Sequence, residues 1–184
     1  MMTTDPQPAS VYDLAHDEEP ENLATFAVLV DNEPGVLHRL VGLFAARGYN
    51  IESLTVAETD RRAHTSRVTI VTRGTPHVLA QIEAQLEKMV STRHVQDVTR
   101  DPNGLERELA LVKVRGTGAE RVEALRVSDI FRAHVIDTTR ESFVFEVTGA
   151  PTKIDSFIEL MRPLGLVEVS RTGVLSIQRG VEAL

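Results

Sequence analysis

Apolar residues fill positions 23–30 almost without a break, then thin to a one-sided stripe at Val36, Leu37, Leu40, Val41 and Phe44. A short continuous apolar run bounded by turn residues predicts a buried strand, and a stripe spaced i, i+1, i+4, i+5 and i+8 predicts one face of a helix. Between them, Asp31-Asn32-Glu33-Pro34-Gly35 offers short polar side chains that cap helices, a proline suited to a first helical turn and a glycine that permits close backbone approach. Gly48 is placed to end the helix in a left-handed cap. Residues 50–58 and 66–73 then read as two strands across a polar connection at 59–64. Gly74-Thr75-Pro76 opens a second helix with its stripe at Val78, Leu79, Ile82, Leu86, Met89 and Val90, and residues 93–99 return as a short strand.

That β-α-β-β-α-β series is written twice. Pro102 and Gly104 mark a connection at 101–106, after which a strand at 109–115 precedes a helix through Val122, Leu125, Ile130 and Phe131. Strands at 134–139 and 142–148 follow, and Gly149-Ala150-Pro151 repeats the Gly-x-Pro helix entry ahead of a stripe at Ile154, Phe157, Ile158 and Met161. Residues 166–177 supply one or two closing strands. The predicted fold class is α+β, two tandem ferredoxin-like βαββαβ domains with helices on one face of each sheet. The expected division is a tail at 1–22, a first domain at 23–100, a linker at 101–106 and a second domain at 107–184. In the usual ferredoxin-like strand order the strand at 50–58 lies at a sheet edge. Natural edges are commonly blunted with Lys or Pro, yet Ile51-Glu52-Ser53-Leu54-Thr55-Val56-Ala57 contains neither, which predicts pairing with another chain, a homodimer.

Charge changes the picture at one end only. Of the net −7, six acidic residues lie in 1–22 with no Lys or Arg, so this acidic, Pro-containing segment is expected to be disordered and the rest is nearly neutral. Neither part has the basic footprint of a nucleic-acid binder. No apolar run approaches the roughly 20 residues that cross a membrane, no signal peptide is legible, and the chain has no cysteine, all of which fits a cytoplasmic location. The six histidines share no metal-binding helix spacing, and neither a nucleophile elbow, a phosphate loop nor a lysine in an apolar context occurs, so no catalytic residue and no metal site are expected. RNA-recognition domains share this strand order but need exposed aromatics on the sheet, whereas Phe143 and Phe145 fall on a face expected to be core.

The Asn32 turn is the candidate for chemistry. Unpaired amides at a helix start, together with the helix dipole, favour a carboxylate or phosphate there, although capping preference alone also produces such a turn. Asn32-Glu33-Pro34-Gly35-Val36-Leu37, then Gly42-Leu43-Phe44 and Arg47-Gly48-Tyr49-Asn50-Ile51-Glu52-Ser53-Leu54-Thr55-Val56, closely resembles the start of the acetolactate synthase (acetohydroxyacid synthase) small regulatory subunit. The first turn by itself resembles an ACT domain, the small-ligand module of amino-acid metabolism. The likeness continues through Arg107-Glu108-Leu109-Ala110-Leu111-Val112-Lys113, Ile130-Phe131-Arg132 and Arg171-Thr172-Gly173, and covers nearly everything after residue 22.

The resemblance implies a subunit in branched-chain amino-acid biosynthesis (valine, isoleucine, leucine) without an active site of its own. Such a subunit activates a large catalytic subunit that condenses two pyruvate into 2-acetolactate and CO2, and confers feedback inhibition by valine at the seam of an ACT dimer. It implies no cofactor on this chain, with thiamine diphosphate, Mg and FAD expected on the catalytic partner. The implied valine contacts are Asn32, Gly35 and Asn50, with Val36, Leu37, His38 and Ile51 close by; family members commonly carry a small hydroxyl residue at the place of His38. The expected division then reads as an ACT ligand-binding domain at 23–100 and a second ferredoxin-like domain at 107–184. The alternative is a stand-alone ACT-domain amino-acid sensor that regulates another target.

Overall fold

The computed structural model describes residues 20–181, so the expectation of a disordered tail falls mostly outside the described residues. The first unit is β1 (Asn22–Asp31), α1 (Val36–Arg47), β2 (Ile51–Asp60), β3 (Thr65–Gly74), α2 (Pro76–Glu87) and β4 (Thr92–Asp97). Its sheet is antiparallel in the order β2-β3-β1-β4, which places β2 at the edge as expected. The second unit comprises β5 (Gly104–Arg115), α3 (Gly118–Phe131), β6 (His134–Thr138), β7 (Ser142–Gly149), α4 (Pro151–Met161), β8 (Leu166–Arg171) and β9 (Leu175–Gln178), with a 3-10 turn at Arg162–Leu164. Its order is β6-β7-β5-β8, with β9 added to the first residues of β5. These are two tandem ferredoxin-like units.

Alternation decides which residues enter each core. Ala24, Phe26, Val28 and Val30 of β1 meet Val68 and Ile70 of β3 beneath Val36, Leu40 and Phe44 of α1 and Leu79, Ile82 and Leu86 of α2. The second core joins Ala110, Val112 and Val114 to Phe143, Phe145 and Val147 under Ile154, Phe157 and Met161 of α4. Phe143 and Phe145 are therefore buried rather than displayed to a base. A bulge between Ile51 and Ser53 shifts the register of β2, so Ile51 and Leu54 both pack against the first core. The helix entries follow the paired Gly-x-Pro motifs: Pro76 and Pro151 occupy the first turns of α2 and α4, and Thr75 Oγ1 accepts from the Val78 amide at 3.4 Å.

Four expectations are corrected. Helix α2 ends at Glu87, so Val90 leaves the stripe and is fully exposed in the following turn. Helix α3 buries Ala124, Val127 and Ser128, while Val122 and Ile130 face outward, because the inward stripe runs 124, 127, 128 and 131 at i, i+3, i+4 and i+7 and both residues lie off that phase. Leu37 and Val41 flank the buried Val36, Leu40 and Phe44 line of α1 and remain about two-fifths exposed, at 40% and 38%. Strand β5 starts at Gly104, so residues 104–106 of the expected linker are paired with β9.

The sheet face turned away from α1 and α2 is not free. Thr25, Ala27, Thr69 and Val71 are buried there, and Thr25 and Val71 border a cleft of about 480 Å³ shared with Glu106, Glu108, Arg171 and Val174 of the second unit.

Candidate functional site

The turn between β1 and α1 is built around Gly35, whose φ of +86° places it in the left-handed region as the N-cap of α1. No side chain caps the helix, so the expected capping role of Asp31 or Asn32 is replaced by backbone geometry, and Pro34 lies ahead of the helix. The amide of Asn32 donates to the His64 carbonyl at 2.7 Å, that of Val36 to Glu33 at 3.3 Å, and that of Arg39 to Gly35 at 3.0 Å. The amides of Leu37 and His38 have no acceptor among the described residues. These two N–H groups, at the positive end of a helix of 12 residues, form the anion-favouring spot. The spot is shifted past Val36, whose amide is used in the turn and whose side chain is core.

An ion-pair lattice holds the turn in place. Glu33 accepts from the Arg39 guanidinium and from Ser91 Oγ at 2.7 Å, and Arg39 Nη2 also reaches Ser91 Oγ at 2.6 Å. The hydrogen bond from Ser91, then the guanidinium of Arg39, hold the Glu33 carboxyl below its ordinary range. Arg93 Nε donates to Asp31 at 2.6 Å, tying β4 to the same turn.

The two asparagines are oriented alike. Asn32 Nδ2 donates to Glu58 Oε1 at 3.3 Å, and Asn50 Nδ2 donates to Glu52 Oε1 at 3.1 Å. Each side-chain carbonyl oxygen is thereby left as an unpartnered acceptor among the described residues, which suits an ammonium group. Sequence reasoning did not identify Glu52, Glu58, Arg39 and Ser91 as the residues that set these orientations; only tertiary contact reveals them.

Asn32, Gly35, Val36, Leu37 and His38 meet at one end of the first unit, but Asn50 and Ile51 lie at the other. The rows of paired residues make this plain: Ala24, Thr72 and Ile51 share one end of the sheet, and Asp31, Thr65 and Asp60 share the opposite end. Seven residue steps of strand separate the rows, about 23 Å at 3.3 Å per residue. Within one chain the two halves do not form a pocket. Asn32, Gly35, Leu37, His38 and Asn50 are all exposed. Among the described residues no three His, Asp or Glu side chains are placed to hold a metal ion, and no helix is long and apolar enough to cross a membrane.

Comparison with known proteins gives consistent matches. A model described as the acetohydroxyacid synthase (AHAS) small subunit-like ACT domain matches residues 26–94, and one described as the small subunit of acetolactate synthase matches residues 107–180. A probable acetolactate synthase small subunit of Archaeoglobus fulgidus is 46% identical over 156 residues, covering 85% of this chain and 96% of its own. The acetolactate synthase isozyme 3 small subunit of Escherichia coli is 44% identical over 155 residues, covering 84% and 94%. A crystal structure of the small subunit from Thermotoga maritima superposes with a TM-score of 0.76 at 36% identity, over 88% of this chain and 99% of that one.

Proposed function

The chain belongs to the acetolactate synthase small-subunit family, and from that premise we propose that it is a regulatory subunit whose valine site forms only when two copies pair along β2. The observation that carries this reading is the separation of the site's halves along one edge strand. Antiparallel pairing of two β2 edges sets the start of one strand beside the end of the other. Asn50 and Ile51 of one copy then approach Glu58 to Asp60 of the second copy, and Glu58 is the residue that orients Asn32. The two-fold relation creates two equivalent sites per dimer.

In each site the amides of Leu37 and His38 hold the carboxylate of valine at the α1 N-terminus. The side-chain carbonyls of Asn32 and of Asn50 from the second copy accept from its ammonium, and Leu37, two-fifths exposed, together with Ile51 walls the isopropyl group. Gly35 contributes the turn. Discrimination against leucine and isoleucine is modest, because one methylene in an apolar pocket is worth about 1–3 kcal/mol. Valine favours one arrangement of the dimer over another, and coupling of about 1–3 kcal/mol transmits that preference to the thiamine-diphosphate catalytic subunit as inhibition.

Reconstitution tests the role. The purified chain added to a catalytic subunit is expected to raise acetolactate formation, and valine to lower it again without dissociating the complex. No change in rate on mixing would exclude the subunit role, and activation that ignores valine would exclude the effector site.

A further inference from the structure

The second unit touches the first on β2 itself. Gly173 follows β8 with a φ of +82°, and a β-carbon placed on it would lie 2.6 Å from Ser53 Oγ and 2.8 Å from Thr55 Oγ1. The next residue closes the contact: the Val174 amide donates to Ser53 Oγ at 3.2 Å, and the Val174 side chain is buried. Thr55 Oγ1, beneath the glycine, is also buried and has no hydrogen-bond partner among the described residues.

Behind this turn the second unit is densely hydrogen-bonded. The Arg171 guanidinium meets the buried Glu108 carboxylate through two hydrogen bonds, at 2.7 and 2.5 Å, and Asp155 at 2.7 Å. Thr172 binds Leu109 in both directions, its amide donating to the carbonyl at 3.0 Å and its hydroxyl accepting from the amide at 3.2 Å. The turn is thus fixed to β5 and α4 on one side and rests on the middle of β2 on the other. The contacts run without a break from the middle of β2 through the turn to β5 and α4.

We propose that the 172–174 turn is the relay through which ligand binding at the β2 seam reaches the second unit, with Gly173 kept bare so that it can rest on Ser53 and Thr55. The relay rests on the valine-seam reading above. It also gives the Arg171-Thr172-Gly173 motif a task that the seam leaves unassigned.

Hydrogen–deuterium exchange on the full-length chain, with and without L-valine, tests it peptide by peptide. In the wild-type protein valine is expected to slow exchange at 32–38 and 50–60, and to change it about fivefold or more at 104–115 and 171–178, the low end of measured couplings. In Gly173→Ala the first change persists and the second is lost. Ser53→Ala removes the acceptor for Val174 without adding an atom, keeps the fold in reach if Gly173→Ala is too strained, and is expected to diminish the distant change alone. Equal distant responses in wild type and both variants, or a wild-type response confined to 32–38 and 50–60, would overturn the relay and leave the seam standing. No response at 32–38 and 50–60 in the wild type would remove the seam, and the relay with it.

Discussion

Replacing Gly35 with Asp puts a carboxylate at the mouth of the proposed site, and its consequences can be worked from the turn. At φ +86° a non-glycine residue is strained by about 1–2 kcal/mol, with Asp and Asn the least penalised. Space is not the obstacle, since a β-carbon there meets only Arg39 Nη1 at 3.9 Å. A new side-chain oxygen can also accept from the free Leu37 and His38 amides, and a cap of that kind returns about 0.5–2 kcal/mol. Stability is therefore nearly unchanged. Affinity is not. Two carboxylates about 4 Å apart repel by about 4 kcal/mol at an effective dielectric near 20, and exposure of the turn reduces this to about 1.5–3 kcal/mol, a 10- to roughly 150-fold weaker Kd. Calorimetric titration with valine measures the loss, and Gly35→Ala, strained at the same φ but uncharged and without an oxygen to occupy the Leu37 and His38 amides, is expected to retain most of the affinity. Wild-type valine affinity in Gly35→Asp, or an equal loss in Gly35→Ala, would refute the placement of the ligand carboxylate.

Three further outcomes are expected. Val56→Asp puts a charge on each β2 edge; like charges across paired strands cost about 0.2–1 kcal/mol each, so sedimentation equilibrium is expected to show a weaker dimer, and an unchanged association constant would place the interface elsewhere. Arg171→Leu leaves Glu108, only 4% exposed, without its partner and is expected to lower stability to urea by about 3 kcal/mol, less than for a fully buried pair because the arginine is partly exposed; an unchanged midpoint would contradict the clamp. Because the folded-state pKa of Glu33 is lowered, its bonds to Ser91 and Arg39 stabilise the turn at neutral pH and are lost as pH falls through that lowered pKa. The stability difference between wild type and Glu33→Gln is expected to vanish in acid, and a difference that grows there would reverse the sign of the argument.

Most of the architecture could be read from spacing. The β-α-β-β-α-β order appeared twice because strands and helices differ in period, and the edge position of β2 followed from that order. The misplaced residues share a cause. Val122 and Ile130 were assigned inward because they are large and apolar, yet the inward stripe of α3 is Ala124, Val127, Ser128 and Phe131, the last meeting Phe157 of α4 at 5.4 Å between ring centroids. Helical phase, not size, decides which apolar residues of α3 turn inward. Val90 likewise looked like the next step of a stripe whose helix had already ended. The pairing of β9 with the start of β5 joins residues about 70 apart in sequence, the cover that the second unit gives to the back of the first sheet joins residues as far apart as Ser53 and Val174, and neither leaves a periodic trace.

The candidate site was legible as chemistry but not as geometry. The turn at Asn32, the glycine and the second asparagine all stood out by type. Their separation was implicit too, since a crossover helix makes β1 and β2 parallel and so puts the end of one and the start of the other at opposite ends of the sheet. What spacing cannot supply is the pair of carboxylates, Glu58 and Glu52, that turn the two asparagine carbonyls outward.

The shared site is tested most directly by mixing two defective chains. One carries Gly35→Asp and the other Asn50→Ala, and each binds valine poorly alone because each of its two sites is damaged. Random exchange makes half of the dimers mixed, and in every mixed dimer the intact turn of one chain faces the intact Asn50 of the other, so calorimetry is expected to find wild-type affinity at about a quarter of all sites. If the mixture shows no tight sites at all after subunits have exchanged, valine is not held between two copies of this chain.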